Sequence, residues 1–226
     1  MGIKYEEVLQ RIKEERNSFG WSQDTISQKL RMTQSHYSKT ESGKKRFSYQ
    51  ELRLLNDIGI DLDYVFTGQR AVKKQEYDLL VNCGSYLQNI VEVLYIVAQP
   101  FCKNLPVGKR IGYMKYILAE SGSTKSIWRL IREYSGYTQR EMAVLLGIDI
   151  KKYRRLEKKE VQPDSEIILA LYNQFHISPL MLLGNCAGLS KEVCEILDSL
   201  EEKTRGEMLR FLQYVYHLLR KQEDRE

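Results

Sequence analysis

A chain of 226 residues has room for one or two domains with cores of their own and is too long for a disulfide-stapled miniprotein. With 42% apolar and 29% charged residues, 4 Pro and 14 Gly, it is neither a disordered linker nor a low-complexity protein. The net charge of +5 permits a polyanionic partner without requiring one, so the informative question is where the excess sits.

Residues 1–7 lack a basic start followed by an apolar run, and no secretory leader is expected. Val8, Leu9 and Ile12 give an opening helix its apolar face, and Gly20 ends it. Ser22 caps a second helix that runs to about Leu30, and Thr33 caps a third that stops at Gly43. Ser48 and Glu51 have the spacing of a capping box, and residues 62–66 form a last turn closed by Gly68. Residues 79–101 carry one charge, Glu92, over a length that would span a bilayer. Asn82, Ser85, Asn89 and Glu92 nevertheless make a polar stripe opposite Leu80, Leu87, Val91, Leu94 and Tyr95, which predicts one long amphipathic core helix. A following helix carries Ile111, Met114, Ile117 and Leu118. Helix signals then restart, with Thr138 and Glu141 as a capping box, Asp149 as a cap and Pro163 before the next helix. The last helix carries Met208, Phe211, Leu212, Val215 and Leu219, and the apolar stripes of both late hairpins pack either in their own core or against a second copy of the chain, making a homodimer. No alternating strand pattern occurs.

Shifting the sequence by 116 residues lays Trp21-Ser22-Gln23 on Tyr137-Thr138-Gln139, Leu30 on Leu146, Tyr37 on Tyr153, Glu41 on Glu157, Leu55 on Leu171 and Gly68 on Gly184. Ile60 and Ile177 match after a one-residue slip. The chain therefore reads as a duplication: a first unit at 1–70, a helical linker at 71–125, a second unit at 126–185 and a C-terminal hairpin at 186–226. In the first unit Ile26, Leu30, Met32, Tyr37 and Thr40 line one side, with small Ser27 where two helices approach. Met142, Leu146, Ile148, Tyr153, Leu156 and Ala143 repeat that pattern, which is two short helices on a three-residue turn.

Both units resemble the helix-turn-helix domain of Cro and phage repressors, the xenobiotic-response-element type of transcription regulator. The likeness is carried by the 22–27 and 37–43 segments and by the 137–143 and 153–157 segments, and covers a little over half the chain. It implies an all-α fold with two lambda-repressor-like domains, each followed by a helical segment, that binds double-stranded DNA in the cytoplasm. A recognition helix fits the B-form major groove with its N-terminal exposed face on the base edges. The base-reading candidates are Gln34, Ser35, Ser38 and Lys39 in the first unit, and Ile150, Lys151, Arg154 and Arg155 in the second. The resemblance places Gln23 and Gln139 on backbone phosphate. Lys44, Lys45, Arg46, Lys158 and Lys159 are further phosphate candidates. Tyr37 and Tyr153 are core anchors, Glu41 and Glu157 structural carboxylates, and His36, on the recognition helix, either touches DNA or is an exposed, uninvolved side chain. The family's turn carries glycine at a positive φ, where the first unit has Arg31 and the second Gly147; after the recognition helix the first has Gly43 and the second Lys159.

The charge is concentrated accordingly. Residues 31–46 hold five basic side chains against one acidic, and residues 150–160 hold six against two. Residues 69–125 hold eight against four, an excess that the resemblance does not explain.

Cys83, Cys102, Cys186 and Cys194 form no C-x-x-C pair and the chain has three His, so no metal, cofactor or disulfide framework is expected. No Walker, nucleophile-elbow or H-E-x-x-H motif is present, and Ala187-Gly188, which resembles a repressor self-cleavage dipeptide, is followed by no strand-rich catalytic segment, so no enzyme is expected. The rival reading is a protein-interaction regulator, an antitoxin or anti-repressor adaptor, in which one unit binds protein; burial of Arg154 and Arg155 would favour it.

Overall fold

The computed structural model describes residues 2–70, 75–120, 122–183 and 187–223. Gly184 and Cys186 lie outside them. The described residues form helices and turns with no strand: α1 (Tyr5–Ser18), α2 (Gln23–Lys29), α3 (Gln34–Glu41), α4 (Tyr49–Asp57), α5 (Leu62–Thr67), α6 (Asp78–Val81), α7 (Leu87–Cys102) and α8 (Pro106–Ala119). There follow α9 (Ile127–Ser135), α10 (Gln139–Leu145), α11 (Ile150–Glu157), α12 (Ser165–Phe175), α13 (Pro179–Leu182), α14 (Ala187–Asp198) and α15 (Glu202–Glu223). They divide into two compact units, one of residues 1–70 with 136–183, the other of 71–135 with 184–226.

In the first unit the helix starts follow local chemistry. Ser22, Thr33 and Asp61 side chains each accept a backbone N–H at the head of α2, α3 and α5, and Ser48 with Glu51 forms a reciprocal capping box. Thr138 with Glu141, Asp149 and Asp164 do the same for α10, α11 and α12. Val8, Ile12, Ile26, Leu30, Tyr37, Phe47, Leu52, Leu55 and Phe66 are buried together, with the Tyr37 and Phe47 rings edge-on at 6.3 Å. Ser27 and Ala143 are buried where the paired helices meet. Met32 and Ile148, expected in the core, are half-buried.

Residues 2–70 and 136–183 are joined by contacts far apart in sequence. The Ile3 N–H donates to Asn173 Oδ1 and Asn173 Nδ2 to the Ile3 carbonyl, both at 2.9 Å. Tyr5 and Ser165 hydroxyls share a hydrogen bond of 2.7 Å, the Ser165 N–H donates to the Phe47 carbonyl, and α5 packs against α13.

The turn between α2 and α3 and the turn between α10 and α11 each use a left-handed residue. Arg31 has φ 55° and Gly147 φ 66°, and the N–H groups of Met32 and Ile148 return to the Ser27 and Ala143 carbonyls at 3.0 Å, closing a Schellman motif. After the next helix Gly43 has φ 78° and Lys159 φ 62°. A Cβ in this conformation crowds the following carbonyl and costs about 1–2 kcal/mol. Arg31→Gly and Lys159→Gly are therefore each expected to stabilise the protein by about 1 kcal/mol, after the extra freedom of glycine in the unfolded chain is offset. Denaturant unfolding with unchanged m-values checks this.

In the second unit, residues 79–101 are not one helix. α6 stops at Val81, Gly84 takes φ 61°, and α7 begins at Leu87. The apolar periodicity runs through the break because the turn keeps Leu80, Leu87 and Ile90 buried, while Asn82, Ser85 and Asn89 stay exposed. No helix among the described residues is long and apolar enough to cross a membrane. Arg110 donates to buried Glu192 at 2.9 Å and lies 2.7 Å from Glu195. Burial pushes the Glu192 carboxyl up despite Arg110. Cys83, Cys102 and Cys194 are buried. Trp128, Leu130 and Ile131 are buried in α9, which clusters with this unit, whereas the sequence reading joins 126–185.

Candidate nucleic-acid interface

The site begins with a buried carboxylate. Glu41, at the end of α3, takes a hydrogen bond from Arg16 Nε at 2.8 Å, one from the Tyr37 hydroxyl at 3.0 Å and one from Gln23 Nε2 at 2.6 Å. Burial alone would raise the Glu41 carboxyl, but these three donors together hold it below the usual carboxylate range. Burial and the adjoining Glu41 push the Tyr37 hydroxyl well up, so it stays a donor. Arg16 also donates to the Trp21 carbonyl at 2.5 Å, tying α1 to the turn before α2.

This network steers the surface. With its amide nitrogen on Glu41, Gln23 turns its oxygen outward, where it accepts from Gln34 Nε2 at 3.0 Å. A side chain from the start of α2 thus braces the first residue of α3. Gln34, Ser35 and Lys39 are exposed and Ser38 is half-buried, so the four share the outer face of α3. Lys44 and Lys45 are exposed beyond its end. Arg46 is exposed but engaged: it bonds Glu166 at 2.6 Å and covers the Tyr5 ring at 4.7 Å, so it is less free for a phosphate than its neighbours. His36, half-buried, lies 3.0 Å from Glu51.

The same arrangement recurs on α10 and α11. Gln139 Nε2 donates to Glu157 at 2.6 Å, and Gln139 Oε1 accepts from Arg154 Nε at 3.1 Å. Lys151, Arg154 and Arg155 are exposed and Ile150 is half-buried. Lys158 and Lys159 are exposed at the far end, where Glu160 lies 3.6 Å from Arg155 and 3.9 Å from Lys158. Tyr153 is fully buried, as Tyr37 is.

Residues 12–64 match the helix-turn-helix family. That segment is a helix-turn-helix domain of the Cro and phage-repressor type. It contains Gln23 and the whole outer face of α3, and such a domain points to a DNA-binding transcription regulator. Residues 139–182 lie outside the match. Neither a curated protein nor a solved structure matches the chain.

Two features of this helix-turn-helix domain escaped the sequence reading. Arg16 is 25 residues from Glu41, and no local spacing links them. Trp21 stacks on Phe19 at 4.5 Å with Lys29 4.7 Å over its ring, forming an aromatic and basic surface beside the N-terminus of α2. The aromatic pair flanking Gly20 was the available signal.

Proposed function

We propose that the protein is a sequence-specific double-stranded DNA-binding regulator that represses transcription, reading its site with two helix-turn-helix domains, the matched one and a second at 126–185. The observation that carries this reading is the braced, exposed face of α3. Gln34 is held by Gln23 where its amide can pair in two-pronged fashion with adenine, and Lys39 reaches guanine or phosphate.

Support for the second domain comes from register. α10 and α11 begin and end 116 residues after α2 and α3, and the Gln–Glu brace and the positive φ positions recur at the same offset. Arg154 and Arg155 are exposed, which favours DNA over the protein-binding alternative. Arg154 grips guanine and Ile150 touches a thymine methyl, so the two domains read different bases. Two linked domains fill two half-sites about 34 Å apart, one turn of the duplex. One chain then prefers an asymmetric site.

Selection of bound sequences from a random duplex pool tests this, using wild type, Gln34→Ala with Lys39→Ala, and Arg154→Ala with Arg155→Ala. Each double variant should lose preference in a different half of the selected site. No enrichment by wild type would end the reading, and an unchanged profile for the Arg154 and Arg155 variant would confine DNA reading to the matched domain.

A further inference from the structure

In the second unit, charges drawn out of water are matched by opposite ones. Buried Arg110 and Lys191 meet Glu192 at 2.9 Å and Glu195 at 3.6 Å. Half-buried Lys125 and Arg132 reach Glu133 at 3.1 and 3.9 Å, and half-buried Arg205 reaches Glu76 at 3.9 Å. Among the described residues of this unit, Glu92 and Lys115 are the two half-buried charges with no opposite charge beside them. Each is met by a neutral amide instead: Glu92 accepts from Gln88 Nε2 at 3.1 Å, and Lys115 donates to Gln99 Oε1 at 2.5 Å. A charge partly withdrawn from water without a counter-charge costs free energy, so this pair of exceptions calls for a cause.

Both exceptions line one groove. α7 packs against α8, and Glu92, Tyr95 and Ile96 with Lys115, Leu118 and Ala119 bound a space of about 260 Å³ between the two helices. Tyr95 is fully buried and Ile96 is 61% exposed, so the groove runs from the core to the surface. Its volume lies just below the range of small-molecule pockets, which starts at about 300 Å³, and suits a ligand of few atoms. Glu92 and Lys115 do not pair with each other. An occupant matches the groove when it brings a cation for Glu92, an anion for Lys115 and an apolar body for the side chains between them. We propose that this groove binds a free amino acid with an apolar side chain. Its ammonium lies on Glu92, its carboxylate on Lys115, and its side chain against Ile96 and Leu118. A plain carboxylic acid would leave Glu92 unmatched, and a plain amine would leave Lys115 so. This goes beyond DNA reading and stands or falls independently of it.

Isothermal titration calorimetry of the full-length chain without DNA tests it, with L-leucine and L-phenylalanine as probes. Wild type should bind at least one of them. The matching amine, which lacks the carboxylate, and the matching carboxylic acid, which lacks the ammonium, should each bind at least ten-fold more weakly. Glu92→Gln and Lys115→Met, both at half-buried positions, should each weaken the amino acid at least ten-fold with unchanged helical circular dichroism. Glu92→Gln should also bring the amino acid and its carboxylic acid to similar affinity, and Lys115→Met should do the same for the amino acid and its amine, which a merely structural role would not. Absence of binding by both amino acids, analogues that bind as tightly as the parent, or an affinity untouched by either variant would each overturn the proposal. None of these readouts involves DNA, so failure here leaves the DNA-reading assignment standing.

Discussion

Replacing Arg154 and Arg155 together with alanine is expected to weaken binding to the selected DNA by about 2–6 kcal/mol, at roughly 1–3 kcal/mol for each well-made base contact. The two arginines should not contribute equally. Gln139 already orients Arg154 by accepting from its Nε at 3.1 Å, whereas Arg155 must leave Glu160, 3.6 Å away, before it reaches DNA. Arg154→Ala alone should therefore cost more and should relax preference at one base pair. Titration against single-base variants of the site, repeated at several salt concentrations, gives the answer. If either arginine instead holds phosphate, its loss weakens all sequences alike and lowers the salt slope by about one. Removal of both with no change in affinity would mean that α11 does not touch DNA.

Arg16→Ala should unfold or nearly unfold the matched helix-turn-helix domain, at about 3–5 kcal/mol, because it leaves the Glu41 carboxylate buried without its cation. Glu41→Gln should be milder, since an amide oxygen at the Oε1 position still accepts from Arg16 and Tyr37, while the acceptor for Gln23 is lost. The pair also makes stability depend on pH. The folded Glu41 carboxyl titrates below its unfolded value of about 4.3, so its stabilising contribution is complete above that value. It is lost as pH falls through the lower, folded value. Denaturant unfolding between pH 7 and 3 should accordingly show a steeper acid loss for wild type than for Glu41→Gln. Parallel curves would place the acid sensitivity in other carboxylates.

These two results probe different levels of the same site, and the levels were not equally legible in the sequence. Caps were legible because Ser22, Thr33, Ser48 and Asp149 act on N–H groups two or three residues away, and the left-handed Arg31 and Lys159 followed from register against glycine in the other half. The outer face of α3 was legible for the same reason, since helical spacing fixes which side chains share a face. The Arg16–Glu41 pair was not, and neither was the Arg46–Glu166 pair that occupies a phosphate candidate, because both depend on how helices far apart in the chain come together. Gly84 breaks a helix that periodicity alone would continue, since a turn that preserves burial leaves no mark on an apolar pattern. Phe211 was grouped with the buried stripe of α15, but that helix has apolar side chains on two faces, and periodicity does not say which one faces inward.

The hydrogen bonds linking Ile3 with Asn173 and Tyr5 with Ser165 close the first unit across 170 and 160 residues of chain. That unit is discontinuous, with residues 71–135 threaded between its two parts. Closing so long a loop is entropically inexpensive per added residue, but the contacts are unavailable until the distant segment has been made. During synthesis the N-terminal helices must wait, with the faces of α5 that later meet α13 open to solvent, until residues beyond 165 leave the ribosome. A fragment cut at residue 70 stays permanently in that waiting condition. Its solubility and DNA affinity would then describe an unfinished surface, and excision at the obvious linker is the wrong way to isolate the reading head of this protein.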